Sequence, residues 1–191
     1  MANPFEQIRA NSNDQKKSFD WYMRQVRSVA RNITSATSAF RSDLGSFESQ
    51  YDVGSMYLFV YDAKTYGTTL PYFDKFPLCL PFEDAQGGFW GLNLHYIPLG
   101  LRAELLGKLM ETAKDKTLDE KSTMRYNWDL LKSASRFPSV RPCVKRYLGS
   151  HMRSGFFKVN PQDWKAAIFL PVESFQGASR QKVYTDSRAM M

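Results

Sequence analysis

The sequence predicts an α+β fold: an N-terminal amphipathic helical arm, a small antiparallel β-sheet or half-barrel, and a helical C-terminal half. Three observations point there. Apolar residues recur at helical spacing near the N-terminus, strand formers and turn signals crowd residues 56–96, and helical spacing returns after Pro98. A chain of 191 residues is long enough to bury one proper core. The expected division is an arm over residues 1–52 and a single α+β domain over 53–191, β-rich to residue 97 and helix-rich from 98.

Each element has a local reason. Between Asn13 and Ile33, the residues Phe19, Tyr22, Val26, Val29 and Ile33 share one helical face. Lys17, Arg24 and Arg31 form a basic stripe elsewhere on that helix, with Arg27 beside them. The stripe reads either as a solvated face or as one that meets phosphates. Small polar residues from Thr34 onward read as a linker or extended arm to residue 52. Met56–Tyr61 is a strand, followed by shorter extended pieces at Thr69–Tyr72 and Pro77–Phe82. Gln86-Gly87-Gly88 reads as a hairpin turn leading into a strand at Phe89–Tyr96, where Gly91 permits a close approach. Pro98 opens a helix with Leu101, Leu105, Leu109 and Ala113 as its apolar stripe. Thr117-Leu118-Asp119-Glu120 has the form of a capping box for a helix carrying Met124, Trp128 and Leu131. Ser139–Met152 is expected as a further helix, Phe156–Val159 as a strand, and Asn160-Pro161 as the cap of a short helix bearing Trp164 and Ile168.

Composition excludes several classes. No apolar run approaches the roughly 18 residues of a membrane span, and the polar N-terminus lacks the apolar centre of a secretory signal. Cys79 and Cys143 have neither metal-ligand spacing nor a disulfide framework, so both read as core thiols of a reducing compartment. The formal net charge of +7 is unevenly spread. Residues 1–41 carry +4, residues 42–120 carry −6 and residues 121–191 carry +9. Such segregation fits ends that face a polyanion, or subunits that stack with opposite charges meeting.

Catalytic constellations are missing, and no enzyme, cofactor or metal site is expected. His95 and His151 are the only histidines, and neither accompanies a nucleophile motif or a zinc-ligand pattern. A metal-dependent nuclease needs clustered carboxylates, for which Asp62-Ala63-Lys64 with Asp52 upstream is the only opening. Nucleic-acid binding has better material. Arg141, Lys145, Arg146, His151, Arg153 and Lys158 fall within eighteen residues, interleaved with Tyr147, Phe156 and Phe157. Cations neutralise phosphates and aromatic rings stack on unpaired bases. The alternative is that the rings are core and the cations solvated. With no sequence-reading motif present, any binding of DNA should be non-specific.

Several long strings are distinctive. They are Met56–Lys64, Leu70–Leu78, Gly88–Tyr96, Cys143–Leu148 through Arg153-Ser154, and Trp164 through Phe169-Leu170-Pro171. Through them the sequence, over roughly residues 14–190, resembles virion proteins of T-even-type contractile-tailed bacteriophages and cyanophages, the DNA end protector family. The resemblance implies a non-enzymatic structural protein, made in the host cytoplasm and carried in the virion. It would bind the packaged genome's end at the head–tail junction and shield it from host exonuclease. It implies double-stranded DNA and other virion proteins (portal, neck, tail or baseplate subunits) as partners in a symmetric assembly, with no membrane. A neck, tail or baseplate subunit that touches only protein stays open as the alternative. The DNA-facing residues expected on this reading are Arg141, Lys145, Arg146, Arg153, Lys158, Lys17, Arg24 and Arg31.

Overall fold

A computed structural model describes residues 4–12, 17–30, 47–112 and 129–191. The sheet grows from the expected hairpin. Strands β3 (Leu78–Ala85) and β4 (Gly88–Asn93) flank Gln86-Gly87, where Gly87 takes φ +73°, a left-handed conformation open to glycine at little cost. β1 (Met56–Leu58) pairs with β3 and with β6 (Phe157–Val159), while β5 (Val144–Leu148) pairs with the other edge of β4. The order is therefore β5-β4-β3-β1-β6, with every pair antiparallel. The register shifts between Pro81 and Glu83, where proline withholds a donor from the ladder. β2 (Phe73–Asp74) and β7 (Phe175–Gln176) form a separate two-stranded piece.

The two faces of the sheet are covered differently. Met56, Leu58, Leu78, Leu80, Leu92 and Val159 pack with helices on one face. That layer holds α1 (Pro4–Ser12), α2 (Phe19–Ala30), α3 (Leu99–Thr112) and the short α4 (Trp164–Ala167). Phe5, Ile8, Val26 and Val29 belong to the same cluster, so α1 and α2 are docked on the core. Aromatic rings fill the other face: Tyr57, Phe59, Tyr61, Phe89, Tyr147 and Phe156 meet mostly edge to face, under the loops around Tyr51 and Phe73. Gly91 lies on this face beneath Cys79 and the Phe89 ring, and a Cβ there would collide with the Cys79 sulfur.

Several expectations need correction. Residues 139–152 are not a helix: a 3₁₀ turn at Pro138–Cys143 feeds β5, and a second 3₁₀ turn spans Gly149–His151. Val144, Tyr147 and Leu148 satisfy strand and helix spacing alike over so short a run. The open edge of β4, with backbone groups in need of partners, decided for the strand. β5 and β7 thus add strands to the half expected to be mainly helical, beside β6, which falls within the strand expected at Phe156–Val159. Thr69–Tyr72 is not a strand, and the strand expected to reach Tyr96 stops at Asn93. There the Asn93 side chain accepts from the His95 N–H and starts a 3₁₀ turn, Leu94–Tyr96. Two helices went unforeseen, α1 and the C-terminal α5 (Arg180–Met190), capped by Ser179 on the Lys182 N–H. The capping box at 117–120, Met124, Trp128 and the proposed linker to residue 46 lie outside the described residues.

The most buried side of α3 shares Leu109 with the expected stripe but is otherwise one residue on from it. It carries Arg102, Leu106 and Leu109. Arg102 is wholly buried and its donors are committed. Nε donates to the Ile97 carbonyl (2.8 Å), Nη1 to the Ile168 carbonyl (3.0 Å), and Nη2 to the His95 carbonyl (3.2 Å) and the Tyr184 hydroxyl (2.6 Å). Glu173 Oε1 stands 3.6 Å from Nη2 and also accepts from Arg180 Nη1 (3.0 Å). A second polar knot surrounds Asp74. Its Oδ2 accepts from His95 Nδ1 (2.7 Å) and Asn93 Nδ2 (3.1 Å), and its Oδ1 from the N–H groups of Phe76 and Ser174.

Replacing Arg102 by Met should cost about 3–5 kcal/mol in denaturant unfolding, because Glu173 and several carbonyls lose a buried partner. Arg102→Lys should recover only part of this, since one ammonium cannot serve the same set of acceptors. Acid should also find these knots. Burial alone would raise the Asp74 and Glu173 pKa values, but His95 opposes it at both, joined by hydrogen bonds at Asp74 and by Arg102 at Glu173, so both end lower than usual. Carboxylates depressed in the folded state add stability above their unfolded pKa, about 4, and lose it as pH falls through the lower folded values. Circular dichroism against pH should show unfolding confined to below about pH 4. Asp74→Asn should be less stable at neutral pH and show a flatter acid dependence than the wild type.

Candidate nucleic-acid interface

β5 places cations on the sheet edge in alternating directions, as any strand must. Lys145 sits opposite Gly91 on the aromatic face, with its Nζ 3.9 Å from the centre of the Tyr96 ring. Burial pushes its pKa down to about 8, although the neighbouring Cys143 opposes the shift. Arg146 lies opposite Trp90, which is 37% exposed, and donates from Nη2 to the Gln86 carbonyl (3.0 Å). Arg141 is exposed in the preceding 3₁₀ turn, on a hollow shared with Ala189 and Met190 of α5. Among the described residues, none of these three cations has a carboxylate partner within ion-pair distance.

The remaining expected cations are placed otherwise. Arg153 pairs with Asp62 (2.9 Å) and Lys158, on the far edge strand β6, pairs with Asp52 (2.7 Å). Those two carboxylates are the ones the nuclease reading required. Among the described residues no group of three His, Cys, Asp or Glu side chains could hold a metal ion. Arg24 rides on α2 and Lys17 just precedes it, in the helix layer on the opposite face of the sheet from Lys145, and Arg31 lies outside the described residues. His151 Nδ1 is bonded to the Asp62 carbonyl (2.9 Å). The eighteen-residue cluster is therefore divided: its first half keeps free charge and its second half is neutralised. Its aromatics are mostly core, since Tyr147 and Phe156 are buried and Phe157 packs near the rings of Phe5 and Phe47.

Two hollows flank the aromatic layer, and their charges differ. The larger, about 710 Å³, is lined by Asp52 and Asp84 among others, and Asp84 accepts from the Tyr51 hydroxyl (2.7 Å). Its carboxylates would repel a polyanion. The smaller, about 350 Å³, lies against β5 and is lined by Lys145, Lys64, Arg146, Tyr61, Phe73 and Tyr96. Sequence reasoning missed Lys64 and Tyr96 as neighbours of Lys145. No local pattern could have found them, because the loop after Tyr61 and the turn after β4 meet β5 only in the folded chain.

The family described as Phage T4 terminal DNA protecting protein matches this chain over residues 8–190. No curated protein and no solved structure matches it. The matched span takes in all seven strands of the described residues, helices α2 to α5 and the cations Arg141, Lys145 and Arg146. With nearly its whole length inside that match, the chain belongs to the phage T4 terminal DNA protecting protein family.

Proposed function

We propose that this protein is a non-enzymatic virion component that holds the end of the packaged phage genome at the head–tail junction and keeps exonucleases from it. The observation that carries this reading is the β5 edge, where Arg141, Lys145 and Arg146 present charge that no described carboxylate neutralises. In a chain of a DNA-protecting family, cations without carboxylate partners on an edge strand and the turn leading into it are the groups that meet phosphates. Contact through phosphates positions a protein without reading sequence, as protecting any genome end requires. Protection needs no chemistry either. An exonuclease must reach the terminal nucleotide, and a bound protein occludes it. The residual acidity of residues 42–120 suits contact with other virion subunits.

A protein-only role in the neck, tail or baseplate has one observation of its own. A groove of about 330 Å³ between α3 and residues 130–140 is lined by Leu101, Leu105 and Leu130, and Phe137 at its side is 61% exposed. The groove is compatible with either reading, because a DNA-end protein in a particle also needs protein neighbours.

Salt separates the two. Wild-type protein should bind blunt duplexes of unrelated sequence alike, with log K falling by about 0.9 per neutralised phosphate against log salt. Arg141→Gln, Lys145→Met and Arg146→Gln together should flatten that slope by roughly 2–3 units and remove protection from an added exonuclease. Arg153→Gln with Lys158→Gln, which breaks ion pairs already made, should change the slope less. A wild-type protein that binds duplex without salt dependence, or leaves ends unprotected, would sink the genome-end role and leave the protein-only role standing.

A further inference from the structure

We propose that the cavity against β5 is a receptor for a terminal phosphomonoester, the phosphate that ends a DNA strand, with Lys145 as its deepest cation. This rests on the genome-end reading and adds the chemical group recognised. Lys145 faces the cavity with its ammonium over the Tyr96 ring and, among the described residues, with no carboxylate within ion-pair distance. Lys64 and Arg146 add to the lining. Tyr61 accepts from the Leu148 N–H through its hydroxyl oxygen (3.2 Å), which leaves the hydroxyl proton to be donated. Asp74 also contributes to the wall, but its oxygens are taken up by His95, Asn93 and the N–H groups of Phe76 and Ser174. Its charge is thus answered from behind.

Size and charge both select a strand end. A volume of about 350 Å³ lies at the low end of the range for single small ligands, roughly 300–1,000 Å³. A duplex is too wide to enter a half-open hollow of this size and can only lie across its mouth, whereas a terminal nucleotide can enter it phosphate first, against the rings of Tyr61, Phe73 and Tyr96. A monoester carries about −1.5 to −2 charges near neutral pH, more than the single charge of an internal diester. A half-buried ammonium with no carboxylate partner therefore gains more from the end of a strand than from its middle.

The protonation of Lys145 supplies a signature. The groups that face it are Tyr61, Tyr96, Tyr147 and Cys143, all with pKa values raised by burial, the ionised Asp74, and the cations Lys64 and Arg146. Near pH 8 only Lys145 is poised to change charge. A phosphate placed beside it holds the proton on, so binding should take up about half a proton at pH 8.

The test compares one short blunt duplex bearing 5′-phosphates, 3′-phosphates or hydroxyls only, by calorimetry at pH 8 in two buffers of different ionisation enthalpy. One of the phosphorylated ends should bind about tenfold tighter than the hydroxyl end, a difference of about 1.4 kcal/mol, with the predicted proton uptake. Lys145→Met should erase both. Lys145→Arg, whose guanidinium stays charged, should keep the preference and lose the uptake. Equal binding of all three duplexes with a normal salt slope would overturn the phosphate receptor and leave the genome-end role intact. If no duplex binds, the genome-end reading fails. In that case a deoxynucleoside 5′-monophosphate that neither binds nor perturbs Tyr96 would overturn the receptor as well.

Discussion

One side chain holds this fold to its shape. Arg102 lies wholly buried on α3, and its donors reach the turn after β4 twice, the end of α4 once and the Tyr184 hydroxyl on α5 once, with Glu173 answering its charge. An uncompensated guanidinium in an apolar interior would be prohibitive, so each acceptor is an obligation rather than an ornament. The segments that supply them are far apart in sequence and have few other reasons to meet. Such a network is rarely the strongest route to stability, since well-packed apolar residues can match it. Its effect here is placement: the carbonyls of His95 and Ile97 are both tied to Arg102, and Tyr96 stands between them.

That placement reaches the surface. The Asp74 knot fixes the same turn from its other side, through the His95 ring and the Asn93 side chain. Tyr96 packs edge to face on Phe175 and stacks on Tyr72, and so presents a rigid ring beneath the Lys145 ammonium. A lysine on an edge strand also keeps a sheet from pairing with another chain, and Lys145 on β5 and Lys158 on β6 both do so. They differ in what else surrounds them. Lys158 has Asp52 and stays in solvent, while Lys145 is drawn over an aromatic ring beside a cavity, with no described carboxylate within ion-pair distance.

Much of this molecule was legible in its residues. Gly87 requires a left-handed turn, so the β3–β4 hairpin could be read from Gln86-Gly87-Gly88 alone. Pro98 starts α3, and the strands expected at Met56–Tyr61 and Phe156–Val159 form, the first ending early at Leu58 and the second starting at Phe157. The long aromatic strings carried the family, and the basic excess of the last 71 residues carried the expectation of a polyanion. These are local signals, and a turn, a cap or a net charge needs no distant partner to be decided. α5 had such a signal too, in Ser179, but buries only Val183 and Ser187 and so lacked the apolar stripe that betrays a helix.

Tertiary structure decided what depends on partners. The residues of β5 fit a helix or a strand equally, and only the vacant edge of β4 chose between them. Within the expected cationic cluster, Asp62 and Asp52 arrive from some ninety and a hundred residues earlier to neutralise Arg153 and Lys158, leaving Arg141, Lys145 and Arg146 free of described carboxylates. A sequence lists charges, but whether one is spent depends on what folding brings within a few ångströms of it. Arg102 shows the same limit most plainly. It is buried because its acceptors, five to 82 residues away along the chain, are assembled only by the fold.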